Sequence, residues 1–176
     1  VARIKRIFIR EDSVFHALLP SGPEHKILMG MPREPTIFNS VNKVVDCHDV
    51  FMTQGGGSWL HGVVAINKKS EDDGRKAIEA AFEGHASMKH VWIVDSDIEV
   101  TNPQSVEWAM ATRFQGDSGL VVKTGVKGSS LDPSSNPETR ETVKVGFDCT
   151  IPLNRDKSDF AKPAPGMKVD LEDYLN

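Results

Sequence analysis

The chain has 176 residues, 39% of them hydrophobic, and a formal net charge of −4. That is the size of one domain with enough apolar content for a core, and the acidic balance argues against nucleic acid or an anionic membrane surface as partner. No apolar run exceeds four residues, which excludes a membrane-spanning helix of about 20 residues and a signal-peptide core and predicts a soluble chain.

Ile4, Ile7, Phe8 and Ile9, interleaved with Lys5 and Arg6, predict a short strand over residues 4–10, ended by the polar Glu11-Asp12-Ser13. Val44, Val45, Val50, Phe51 and Met52 predict a second strand region, interrupted by Asp46-Cys47-His48-Asp49. Gly55-Gly56-Gly57-Ser58 reads as a tight turn, and residues 59–66 as a third strand rich in β-branched side chains. Ala77, Ile78, Ala81, Phe82 and His85 recur at helical spacing and predict an amphipathic helix over residues 73–88. Residues 91–94 form a wholly apolar run, as expected of a strand buried on both faces. Asn102 is placed to cap a helix over residues 103–113, with Pro103 at its first position. Residues 119–123 complete the pattern as a further strand.

This alternation predicts an α/β layer structure, a mixed or largely parallel central sheet flanked by helices. After Gly125 the sequence turns rich in Gly, Pro, Ser and charge, which predicts a long surface excursion to about Pro165 that needs a partner surface to become ordered. The stretch 169–175 predicts a short amphipathic helix in a tail over residues 153–176, following a domain over residues 1–152. Cys47 and Cys149 lie far apart and in no CxxC arrangement, which suits a reduced, cytosolic protein. The first residue is Val1, so a piece of a longer polypeptide is expected.

Several motifs carry chemistry, each with a plainer reading. Asp95-Ser96-Asp97 at a strand end can hold a divalent cation bridging a nucleotide-sugar diphosphate, as in a metal-dependent glycosyltransferase; Asp at a strand end also commonly caps turns. The glycine turn can wrap a phosphate with its N–H groups, or be a hairpin without a ligand. Six histidines occur, none spaced from another His or Cys as in a metal site. Trp59 and His61, two apart, are expected on one strand face beside the turn, where they could line a pocket; a half-buried, satisfied histidine is the plainer reading. Gly57-Ser58-Trp59 lacks the second glycine of a nucleophile elbow, so a serine hydrolase is not supported.

Five stretches taken in order are more specific than any of these. They are Glu24-His25-Lys26-Ile27-Leu28-Met29-Gly30 with Pro32-Arg33-Glu34-Pro35; Gly55-Gly56-Gly57-Ser58-Trp59-Leu60-His61-Gly62-Val63-Val64; Val94-Asp95-Ser96-Asp97-Ile98-Glu99-Val100; Val106-Glu107-Trp108-Ala109-Met110-Ala111-Thr112-Arg113; and Lys144-Val145-Gly146-Phe147-Asp148-Cys149-Thr150. Together they resemble the C-terminal domain of the UbiD family of non-oxidative decarboxylases.

The resemblance implies prenylated FMN, with Mn²⁺ and K⁺ at the cofactor phosphate, and decarboxylation of an aromatic or α,β-unsaturated acid through an adduct with the cofactor. A small phosphorylated unsaturated acid is a further substrate it allows, and membrane contact follows only if the substrate carries a polyprenyl chain. It implies that Asp95-Ser96-Asp97 is not a metal site here, and that no residue of this chain is catalytic or a metal ligand. It places the cofactor on an N-terminal domain of the same polypeptide, against which this domain packs while also carrying dimer contacts. Gly56, Gly57, Trp59 and His61 are then expected as substrate-side wall, no cofactor-binding lysine is singled out among Asn67, Lys68 and Lys69, and the chain alone is expected to be inert. A stand-alone glycosyltransferase-like domain and a scaffold module are the alternatives.

Overall fold

The computed structural model describes residues 2–161. Helices α1 (Pro23–Gly30) and α2 (Glu34–Val41) lead into strand β1 (Cys47–Met52), followed by β2 (His61–Ile66), α3 (Asp73–Gly84), β3 (His90–Asp95), α4 (Pro103–Arg113), β4 (Leu120–Lys127) and β5 (Glu141–Cys149). The five strands form one sheet in the order β1-β2-β3-β5-β4. Its centre, β2-β3-β5, is parallel, and β1 and β4 close the two edges antiparallel. The expected α/β architecture with a mixed sheet is therefore present.

The period-2 alternation of β2 and β3 divides the core. Val64, Ile66, Val91 and Ile93 point to one face, where Ile37 and Val41 of α2 and Ala77, Ile78 and Ala81 of α3 cover them. Val63, Ala65 and Val94 point to the other, beneath Ala109, Val106 and Met110 of α4. Burial on both faces is why these strands are continuous apolar runs. Asn102 caps α4 as expected, its Oδ1 accepting from the N–H groups of Gln104 (3.0 Å) and Ser105 (3.4 Å). The α3 helix stops at Gly84 rather than at residue 88, because His85 turns extended (φ −144°) and carries the chain toward β3.

Three expectations need correction. Residues 4–10 are not a strand: Ile4, Ile7, Phe8 and Ile9 are 68–84% exposed, and none of residues 2–22 joins the sheet. Apolar alternation marks a segment that could pair, but a strand exists only where a neighbour takes up its backbone N–H and C=O groups. Residues 125–165 are not one long excursion either, since β4 runs on to Lys127 and β5 is inserted between β3 and β4.

The inward face of β5 reads Lys144, Gly146, Asp148, which disguises it in composition. It takes small and polar residues because α3 lies so close that a Cβ at Gly146 would overlap Ile78. The remaining loop, residues 128–140, is held by its own chain, with Ser129, Asp132 and Ser135 buried. Thirdly, the second strand region is not interrupted at residues 46–49: β1 begins at Cys47 and runs through His48 and Asp49, where its pairing with β2 only shifts register. Helices α1 and α2 add to the expected elements, and both start with proline in the first helical turn. The helix expected over residues 169–175 lies outside the described residues.

Candidate functional site at the amino end of the parallel strands

His61 and His90 open β2 and β3 and are partners in the parallel register. Their side chains therefore emerge on one face, and His61 Nε2 lies 2.9 Å from His90 Nδ1. One imidazole N–H donates to the lone pair of the other, which requires at least one neutral ring. Burial lowers the pKa of both, and the ammonium of Lys89 lowers it further; for His90 the neighbouring His61 adds to the effect. Trp92, two residues beyond His90, packs edge-on to His61 at 5.4 Å and stacks on Phe147 at 5.5 Å.

Of these, His61 and Trp92 line a cavity of about 500 Å³ on the α4 face, together with Phe51, Gly56, Val106 and Met110. Gly56 is required there, because a Cβ would come within 2.5 Å of His61 Cβ. The cavity is mostly apolar with a few polar groups, the composition of small-molecule sites.

Trp59 does not share this face. It precedes β2, and the left-handed backbone of Gly57 (φ 70°) and Ser58 (φ 52°) swings it to the α2/α3 side. There its ring stands edge-on to His85 at 4.5 Å, and its Nε1 donates to Ser129 Oγ at 3.0 Å. The guanidinium of Arg33 lies over the same ring, 5.1 Å from its centroid. Of the four expected wall residues, Gly56 and His61 thus meet at one cavity. Gly57 shapes the turn behind it, and Trp59 sits on the opposite side of the sheet end. The i, i+2 rule failed for Trp59 because it holds only within a strand.

At the same end, Lys89 Nζ reaches Asp132 Oδ1 and Oδ2 at 3.1 and 2.9 Å and also contacts Ser134 Oγ, tying the 128–140 loop to the start of β3. Burial alone would raise the Asp132 pKa, but Lys89 and Ser134 hold it down at about 2. Lys144, buried in β5, donates to the carbonyl of Ala86 and lies 5.2 Å from the Phe82 ring.

The opposite, carboxyl end carries Asp95 and Asp97, and there the glycosyltransferase reading fails. Arg113 of α4, with its side chain 2% exposed, donates to Asp95 (2.8 Å) and to both oxygens of Asp97 (2.9 and 2.7 Å). Asp95 also accepts the N–H of Ile151 at 2.9 Å. The guanidinium sits where a cation would have to be, and a fixed bidentate pair is a structural clamp. Among the described residues no group of three His, Cys, Asp or Glu side chains comes together as a metal site.

His90, Lys89, Asp132 and Arg33 were not singled out from sequence. Their partners lie 29 (His61–His90) and 43 (Lys89–Asp132) positions away, so only strand register and loop return bring them together.

The family described as 3-octaprenyl-4-hydroxybenzoate carboxy-lyase C-terminal domain matches residues 26–149. The chain belongs to this family, the UbiD C-terminal domains. It is similar to the anhydromevalonate phosphate decarboxylase of Methanocaldococcus jannaschii, 48% identical over 92% of this chain and 39% of that protein. It is also similar in structure to the UbiD-class enzyme HmfF from Pelotomaculum thermopropionicum in complex with FMN (TM-score 0.85, 38% identity, covering 94% of this chain and 38% of that one). An evolved dimeric form of HmfF in complex with prFMN aligns with a TM-score of 0.75 at 34% identity, covering 94% of this chain and 35% of that one. The chain thus spans about two fifths of the length of the relatives it matches.

Proposed function

We propose that this chain is the C-terminal domain of a prenylated-FMN-dependent decarboxylase whose substrate is a small α,β-unsaturated acid carrying a phosphate. The observation that carries the reading is the 48% identity, over nearly the whole chain, to a decarboxylase named for such a substrate. Aromatic acids are the wider class within which this proposal chooses.

The described residues do not fit the cofactor's metal-bridged phosphate: no group of three His, Cys, Asp or Glu side chains comes together, and the Asp95–Asp97 pair is occupied by Arg113. Prenylated FMN, Mn²⁺ and K⁺ are therefore assigned to the cofactor domain of the whole protein. What this chain supplies is binding and exclusion of water. The amino end of the sheet offers an apolar cavity lined by His61 and Trp92 and a second face at Trp59, with the apolar side chains of residues 4–19 available for packing against other domains or a second copy. In this reading Gly56 and His61 form wall on one side, and Trp59, set by Gly57, on the other.

The test is CO₂ release by the full-length protein reconstituted with prenylated FMN, comparing a phosphorylated unsaturated acid with hydroxybenzoate. Preferential turnover of the phosphorylated acid is expected, with none from the 176-residue chain alone. Turnover by the isolated chain would overturn the division of labour, and hydroxybenzoate as the better substrate would overturn the substrate class. Sedimentation of the full-length protein as a dimer or larger assembly is expected.

A further inference from the structure

We infer that Arg33 is the residue that grips the substrate's phosphate in the assembled enzyme, an assignment that rests on the decarboxylase reading above. Arg33 immediately precedes α2, so that helix fixes its backbone: its carbonyl accepts from Ile37 N (3.0 Å) and Thr36 Oγ1 (2.7 Å). Its side chain is exposed yet placed, since it lies over an indole that cannot move freely. Trp59 is held by Ser129 through Nε1 (3.0 Å), by the His85 ring at 4.5 Å, and by a hydrogen bond between His85 Nε2 and its own carbonyl (3.0 Å).

A guanidinium resting on an aromatic face uses that face for the contact and keeps its N–H edges free, the orientation suited to two oxygens of one phosphate. Among the described residues no carboxylate pairs with Arg33. Its sequence neighbour Glu34 is turned away to accept from Met52 N at 2.9 Å. After burial, Arg33 and Lys144 both act on the neighbouring His85 to lower its pKa.

Gly30, the last residue of α1, packs on Ser58, one residue from Trp59, and Ile27 and Leu28 of α1 with Met31 after it are 41–57% exposed. An oriented cation on an aromatic face, with no carboxylate partner among the described residues, suits a ligand with an anionic head. In the proposed reaction the carboxylate must lie at the electron sink, which this chain lacks, so the anion left for this wall is the phosphate.

The experiment uses the full-length protein loaded with prenylated FMN, and compares wild type with Arg33→Gln and Arg33→Lys on the phosphorylated acid and on its unphosphorylated counterpart. For Arg33→Gln, KM for the phosphorylated acid should rise about 10- to 100-fold with kcat within about twofold, the pattern of a lost binding contact. Turnover of the unphosphorylated acid should be unchanged, and Arg33→Lys should recover part of the loss. Flavin absorbance and melting temperature should match wild type in both variants. Equal losses on both acids, loss of flavin retention, or no change in KM would overturn the assignment to Arg33 while leaving the decarboxylase reading intact. A wild-type enzyme that ignores the phosphorylated acid but decarboxylates the other would overturn the substrate reading and the Arg33 assignment together.

Discussion

Lys89 and Asp132, 43 residues apart, form an ion pair in which the carboxylate is only 3% exposed, and this pair fastens the β4–β5 loop to the start of β3. The loop in turn supplies Ser129 to Trp59. This ion pair therefore supports the α2/α3 side of the candidate site through the loop that holds Trp59.

That pair predicts acid sensitivity. The folded-state pKa of Asp132, about 2, lies below its ordinary 3.8, so its contribution is present above pH 3.8 and is lost as pH falls toward 2. The difference corresponds to about 2 kcal/mol. Urea unfolding of Asp132→Asn at pH 7 should show a loss of at least that size, because the variant also leaves Lys89 without its partner. The gap to wild type should narrow below pH 3, and a gap independent of pH would contradict the role given to the ion pair.

Buried His85 and half-buried His61 and His90 predict a second pH dependence at higher pH. Burial lowers the pKa values of His61, His85 and His90 from 6.5. Unfolded chains take up protons first, so stability is full above pH 6.5 and declines as pH falls through the interval below it. Replacing His61 by Gln should flatten that decline between pH 7 and 5, read from urea midpoints. An unchanged slope would mean that His61 titrates as it does in the unfolded chain.

The Arg113 clamp predicts a large structural effect and no metal response. Arg113→Ala leaves Asp95 buried without its partner and should cost about 3–5 kcal/mol. Mn²⁺ with a nucleotide-sugar should not raise the melting temperature of the wild-type chain. A stabilisation abolished by Asp97→Asn would restore the glycosyltransferase reading.

At the cavity, Gly56→Ala should destabilise the chain by about 1–3 kcal/mol, because the added methyl meets His61 across a short turn. In the intact enzyme, His61→Ala and Trp59→Ala should change substrate preference more than flavin retention. Competition assays between two acids, with absorbance of bound flavin as the second readout, check this. Unchanged selectivity in both variants would remove these residues from the wall.

The elements legible in sequence were those whose stability is written locally. β2 and β3 declare themselves as apolar runs, α3 by its apolar stripe, and α4 by the Asn102 cap and Pro103, since burial on both faces, helical periodicity and capping each leave a mark within a few residues. The five ordered motifs were enough to indicate the family. Tertiary structure decided what depends on partners distant in the chain. The apolar residues 4–10 found no ladder, while the polar-looking β5 found one between β3 and β4, because strand pairing is settled by which backbone edges are free. The same holds at the candidate site. Strand register set His61 against His90, a left-handed turn at Gly57 and Ser58 sent Trp59 to the other side, and the fold of α4 delivered Arg113 to the two aspartates that sequence alone left open to a metal.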